Sequence, residues 1–276
     1  MLSWARISSV SLLFAALVVL PLQAQNTEQL EVGPPPQHRA EPPAPGATPE
    51  ELEKRGDELR EDKNYLDAVD YYQASLKHAP GNAALLNKIG ICQIQLRRLN
   101  ESKKTLERAI RVDHKHADAY SNLGVVYYEL GVSTHQSGNF SKAIKMYDKA
   151  IALSNEYASY FNNRGAAYFA TKQYERASAD YATALQLDPD IFERTSRGGV
   201  QAQLPSPEER AHYDYVLAKI YAKSGEPDRS LHYLKRAMEE GYKDIKNVYK
   251  DSEFSTLRKD PRFTELMAAK TLAIPD

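Results

Sequence analysis

The sequence is poor in several things at once. It holds one cysteine, Cys92, in 276 residues. A lone cysteine closes no internal disulfide, so packing has to hold the fold together. There is no surplus of charge, since 36 Lys+Arg against 37 Asp+Glu leave a formal net charge of -1. No global basic field is present to draw nucleic acid or an anionic membrane. The apolar run Leu12–Leu20 is too short to span a bilayer, which needs roughly 20 apolar residues. No GxSxG elbow, no phosphate-binding GxxxxGK loop and no HExxH pair occurs, and no Ser/His/Asp set is framed by a recognisable motif. His114 and His116 lack the cysteine or carboxylate neighbours that metal ligation needs. These absences exclude the common enzyme classes and predict neither cofactor nor metal.

Tyrosine, by contrast, is abundant, with 18 against 7 phenylalanines. It offers an apolar body with a polar tip and suits crowded helix seams and interaction surfaces alike. The N-terminus has Arg6, then Leu12–Leu20, then Pro21 and Leu-Gln-Ala-Gln. That pattern predicts a secretory signal peptide over 1–24, cleaved after Ala24, and hence a periplasmic or secreted protein; the alternative is an uncleaved N-terminal anchor. Residues 25–48 are rich in proline and lack apolar periodicity, which predicts an extended, disordered tether.

Order is expected from Thr48-Pro49-Glu50-Glu51, a capping box with proline at the first helical position. Ser206-Pro207-Glu208-Glu209 has the same form. Between them the chain repeats. Gly56, Gly90 and Gly124 are 34 residues apart, and so are Gly131 and Gly165. Small residues follow in step at Ala68, Ser102, Ala143 and Ala177, then at Ser75, Ala109, Ala150 and Ala184. Pro80 and Pro189 close two of the units. Small residues let paired helices approach closely, large ones such as Tyr72, Leu106, Tyr147 and Tyr181 fill the seam, and proline ends the second helix.

This period and pattern resemble the tetratricopeptide repeat, closely over 49–191 and more loosely over 207–241. The resemblance implies an all-α, right-handed solenoid of antiparallel helix pairs. The expected units are 49–82, 83–116, 117–157, 158–191 and 207–241, with a loop at 192–206. His114 and Asn155 depart from the family's usual proline. The tail 242–276 is not a further repeat; Val248, Phe254, Leu257, Phe263 and Leu266 suit a helical cap over the open end of the stack.

The resemblance also implies a concave groove lined by the first helix of each pair. Its first unit offers Glu50, Glu53, Asp57 and Arg60. The acids at Glu53 and Asp57 argue against the family's clamp for C-terminal carboxylates. The candidate partner-binding residues are Asn87, Lys88, Ile91 and Ile94, then Asn122, Val125 and Tyr128, then Asn162, Asn163, Ala166 and Phe169. Asparagine amides can donate to and accept from an extended peptide backbone, or can serve helix packing instead. Cys92 is read as a small buried hydrophobe, and Lys103, Lys104, Arg108 and Arg111 as a solvated outer face. The function expected is a non-enzymatic scaffold for a protein or peptide segment. The alternative is a structural part of a cell-envelope assembly or pilus-type machine bound through its outer face or C-terminal cap.

One irregularity stands out. In NLGVVYYELGVSTHQSG, residues 122–138, Gly124 keeps step with the units before it and Gly131 with those after it. Seven extra residues are close to two helical turns, so the first helix of this unit is expected to lengthen, from about Ala117 to about Gln136. In the Gly124 register the turn glycine is Gly131, and in the Gly131 register it is Gly138; the alternative to a lengthened helix is a loop over 132–138.

Overall fold

The computed structural model describes residues 37–193 and 206–269. The expected signal peptide, the first part of the tether (25–36) and most of the 192–206 loop lie outside those residues. Among the described residues the secondary structure is helical throughout. Four antiparallel pairs run α1 (Pro49–Glu61) with α2 (Tyr65–His78), α3 (Ala83–Gln95) with α4 (Leu99–Val112), α5 (Ala117–Thr134) with α6 (Ser137–Leu153), and α7 (Ala158–Ala170) with α8 (Tyr174–Leu187). A fifth pair, α9 (Pro207–Lys223) and α10 (Pro227–Glu239), is followed by three short 3-10 turns and α11 (Pro261–Ala269). The fold is an α-solenoid with a C-terminal cap. Val248, Phe254, Leu257 and Phe263 of that cap are buried in the same core as α9 and α10. No described helix is long and apolar enough to cross a membrane.

The starts of α1 and α9 follow from their sequence. Thr48 Oγ1 accepts the Glu51 N–H, and Glu51 Oε2 accepts the Thr48 N–H at 2.9 Å. At α9 only half of that device forms. Ser206 Oγ accepts the Glu209 N–H, but its hydroxyl donates to the Glu209 carboxylate in place of a backbone amide.

The small residues do what close approach requires. A Cβ at Gly56, Gly90 or Gly165 would stand 2.6 Å from Tyr72, Leu106 or Tyr181 of the partner helix. Ser102 Oγ and Ser230 Oγ donate to the carbonyls of Gly90 and Ala218, so the serines at this position are satisfied within the seam.

Unit three lengthens its first helix as expected, and its second helix as well. α5 ends at Thr134, and α6 begins at Ser137, ahead of Gly138. α5 has 18 residues against 13 in α1, α3 and α7, and α6 has 17 against 14 in α2, α4 and α8. The seven added residues are thus shared between both helices, where the sequence suggested one. Lengthening one helix alone would leave its new turns without a partner; lengthening both gives Gly131 a neighbour in Phe140 and Gly124 a neighbour in Tyr147. Neither Gly131 nor Gly138 is the turn residue. The left-handed turn position is His135, with φ 54°, corresponding to Lys63, Arg97 and Lys172 in the first, second and fourth pairs.

A second departure concerns the tether. Residues 37–48 are an ordered strap on the first pair. Asp67, buried on α2, accepts the Arg39 N–H at 2.9 Å and lies 2.9 Å from His38 Nδ1. Tyr71 donates its hydroxyl to the Glu41 carbonyl, and Ala40 packs on the first core. Burial raises the Asp67 carboxyl's pKa, but the bonds from Arg39, His38 and Ala40 outweigh it and hold the group below the usual carboxylate range. Composition alone pointed to disorder because it registers missing apolar surface, not a backbone that meets a buried acid.

Candidate protein-docking surfaces

The structure places most of the expected groove residues inside the stack. Val125 and Tyr128 are fully buried and Phe169 nearly so, while Ile94 and Ala166 also belong to the core. They are buried because successive first helices pack against one another, α5 touching both α3 and α7. The asparagines follow the packing reading: Asn122 Nδ2 donates to Asn87 Oδ1 at 2.9 Å, linking α5 to α3 out of reach of solvent. Asn162 and Asn163 are buried as well. Of the eleven positions only Lys88 and Ile91 keep partial exposure. Lys88 is engaged, its Nζ lying 2.8 Å from Glu53 and 2.7 Å from Asp57, whose other oxygen accepts the Tyr72 hydroxyl. The middle of the expected groove therefore presents little that a partner could touch. Cys92 lies in the first core, where burial pushes its thiol up to about 12, far from a reactive thiolate.

Two features were not legible in the sequence. The first is an aromatic ladder that joins the last two pairs to the segment after α10. Tyr242 stacks between His212 and Tyr215, at ring-centre distances of 5.2 and 4.5 Å, and His212 also meets Tyr174 at 4.2 Å. Burial holds the imidazole of His212 below its usual range. Tyr242 reaches the ladder because Gly241, at φ 82°, turns the chain back after α10. The C-terminal segment locks onto the same helix: Asp251 accepts the Tyr215 hydroxyl and lies 3.0 Å from Lys219 Nζ, with Glu253 3.3 Å from that amine.

The second is an open seam. Helices α2/α3, α4/α5 and α6/α7 pack closely, whereas α8 and α9 meet much more sparsely. Between them lies a cleft of about 670 Å³. One wall is the face of α8 bearing Glu175, Ser178, Ala179 and Ala182; the other carries Ile220 and Lys223 of α9. Its small side chains would admit a close-packed helix or strand, and both walls carry charges at the rim. Among the described residues no group of three or more His, Cys, Asp or Glu is placed to hold a metal ion.

Comparison with known proteins agrees with this architecture. Tetratricopeptide-repeat family models match residues 59–131 and 158–191, and a TPR-repeat model matches 134–172. Residues 59–191 thus form a tetratricopeptide-repeat array. Proteins of this kind typically serve as protein-interaction scaffolds. A curated relative, the inactive TPR repeat-containing thioredoxin TTL3 of Arabidopsis thaliana, is 31% identical over 86 residues, 31% of this chain. The chain spans 12% of that protein's length. Among solved structures, the thermophilic TPR protein TTC0263 of Thermus thermophilus is similar in fold, with a TM-score of 0.51 and 20% identity over 80% of this chain and 100% of that one. MamA matches at a TM-score of 0.47 and 21% identity, over 75% of this chain and 97% of that one.

Proposed function

We propose that the protein is an exported, non-enzymatic scaffold that holds a segment of a partner protein in the cleft between α8 and α9. The observation that carries this reading is the open part of the seam: the other unit junctions pack closely, and here a cleft is left with Glu175 and Ala179 of α8 and Lys223 of α9 exposed along it. The middle of the concave face is a weaker candidate, because its asparagines and aromatics are already used in packing. Export rests on the leader-like pattern of residues 1–24, and N-terminal sequencing of the mature protein checks it.

The test uses Ala179→Arg combined with Lys223→Glu, two exposed wall positions. The variant should keep its helicity and melting temperature and lose capture of the partner that the unaltered chain retains from an envelope extract. Unchanged capture would refute docking at this cleft. A second reading, attachment through the cap, is favoured by Tyr249, which is 55% exposed beside a smaller cleft of about 490 Å³ lined by Phe263 and Met267. Tyr249→Ser separates the two readings. Deleting the cap does not, because Val248, Phe254 and Phe263 complete the core of the fifth pair.

A further inference from the structure

Among the described residues the buried acids are, with one exception, well supplied with partners. Asp67 holds the strap. Asp180 takes two bonds from Arg164, at 2.8 and 2.7 Å. Glu129 accepts from Arg97 at 2.6 Å. The exception is Asp214 on α9. It is fully buried, and neither of its oxygens accepts a hydrogen bond. Its ion contact is with Arg236 of α10, whose Nη2 lies 3.2 Å away in poor hydrogen-bonding geometry. Arg236 is itself 42% exposed and sits over the Tyr233 ring, so water screens it and the ring shares it.

We propose that Asp214 makes the fifth helix pair proton-sensitive: its carboxyl, fully buried and accepting no hydrogen bond, takes up a proton in the folded chain, and the neutral form holds α9 against α10 more stably. A buried carboxylate that accepts no hydrogen bond is costly, whereas the protonated acid is a small polar group with a donor to offer. The groups facing it are Arg236 of α10, Glu240 at the C-terminal cap of that helix and Arg210 from its own helix, together with the phenols of Tyr213 and Tyr233. Lys219, Asp251 and Glu253 pair among themselves, about 140° further round α9. Burial pushes the Asp214 carboxyl up to about 7, against the pull of Arg236 and with the push of Glu240.

The sign follows from linkage. An unfolded aspartate titrates near 3.9, so between about pH 4 and 7 the folded pair binds a proton that the unfolded chain does not. The stability of the pair is therefore highest at the acid end of that window and falls as pH rises through it.

The first test is a carboxyl-carbon NMR titration of the full chain. The Asp214 signal is expected to have its midpoint between about 6 and 8; a midpoint below about 5 overturns the proposal. The second is native-state hydrogen exchange, corrected for intrinsic rates. The opening constant of α9–α10 should rise about tenfold from pH 5 to pH 6, while that of α3–α4 does not follow. Asp214→Asn should abolish this rise. An equal rise in the variant refutes the assignment, and if the variant fails to fold, the titration of the unaltered chain decides.

Discussion

The first four helix pairs and the junction between the fourth and fifth use the same kind of helix and end in different packing. Connectors of four residues, 79–82, 113–116 and 154–157, join the first four pairs. Links that short leave the next helix nowhere to go except onto the one before. The link from α8 to α9 runs over 188–206, and the seam beside it stands open. Closeness in this stack is thus imposed by connection length as much as by side-chain fit. Along a longer connection the two pairs meet over part of their length only: Phe169, Ala177, Tyr181 and Leu185 of the fourth pair share one core with the fifth, while the rest of the seam stays open.

That contrast can be broken at several strengths. The largest effect is expected from Tyr147→Ala, which empties a fully buried seam position against Gly124. It should cost the first four pairs about 4 kcal/mol in urea unfolding, with a much smaller change in the transition of α9–α11. A single cooperative transition lost in equal measure everywhere would show that the open seam transmits stability after all. Next comes a matched pair of enlargements. Ala167→Leu overfills a fully buried position in a closed seam and should cost about 2 kcal/mol, whereas Ala179→Leu in the open seam should stay within about 0.5 kcal/mol. Equal costs by thermal melting would mean that the cleft is closed in solution.

At the opposite end of the molecule, Asp67→Ala should release the strap at a cost of about 1.5 to 2 kcal/mol, seen as loss of protection at the Arg39 amide. Because the Asp67 carboxyl is held low, its contribution is present above about pH 4 and disappears as pH falls through its folded value. The acid end of the pH scale therefore loosens the first pair, while Asp214 has the fifth pair tightening on the way down from neutrality. The smallest effect separates the glycines of unit three. Gly138→Ala meets nothing within 4 Å and should stabilise by about 0.5 kcal/mol, whereas Gly131→Ala meets Phe140 at 2.8 Å and should destabilise.

The repeat was legible in the sequence because each pair solves the same steric problem, a small residue under a large ring, at a fixed spacing. Gly56 with Tyr72 and Gly165 with Tyr181 show it directly. The groove was not legible. Asn87 and Asn122 look alike as peptide ligands and as packing groups, and only their mutual hydrogen bond distinguishes the two roles. The ladder of Tyr174, His212 and Tyr242 escaped notice because its members come from three different elements and from no common repeat position.

By itself, then, the sequence determined the helix pairs, their order and the seven-residue irregularity, since these rest on contacts of short range and fixed period. The tertiary structure decided which side chains remain open to a partner. It also decided how the seven residues are divided, why the strap is ordered and where the stack parts. Those outcomes depend on which surfaces meet across units, and the spacing of residues along one chain carries no record of that.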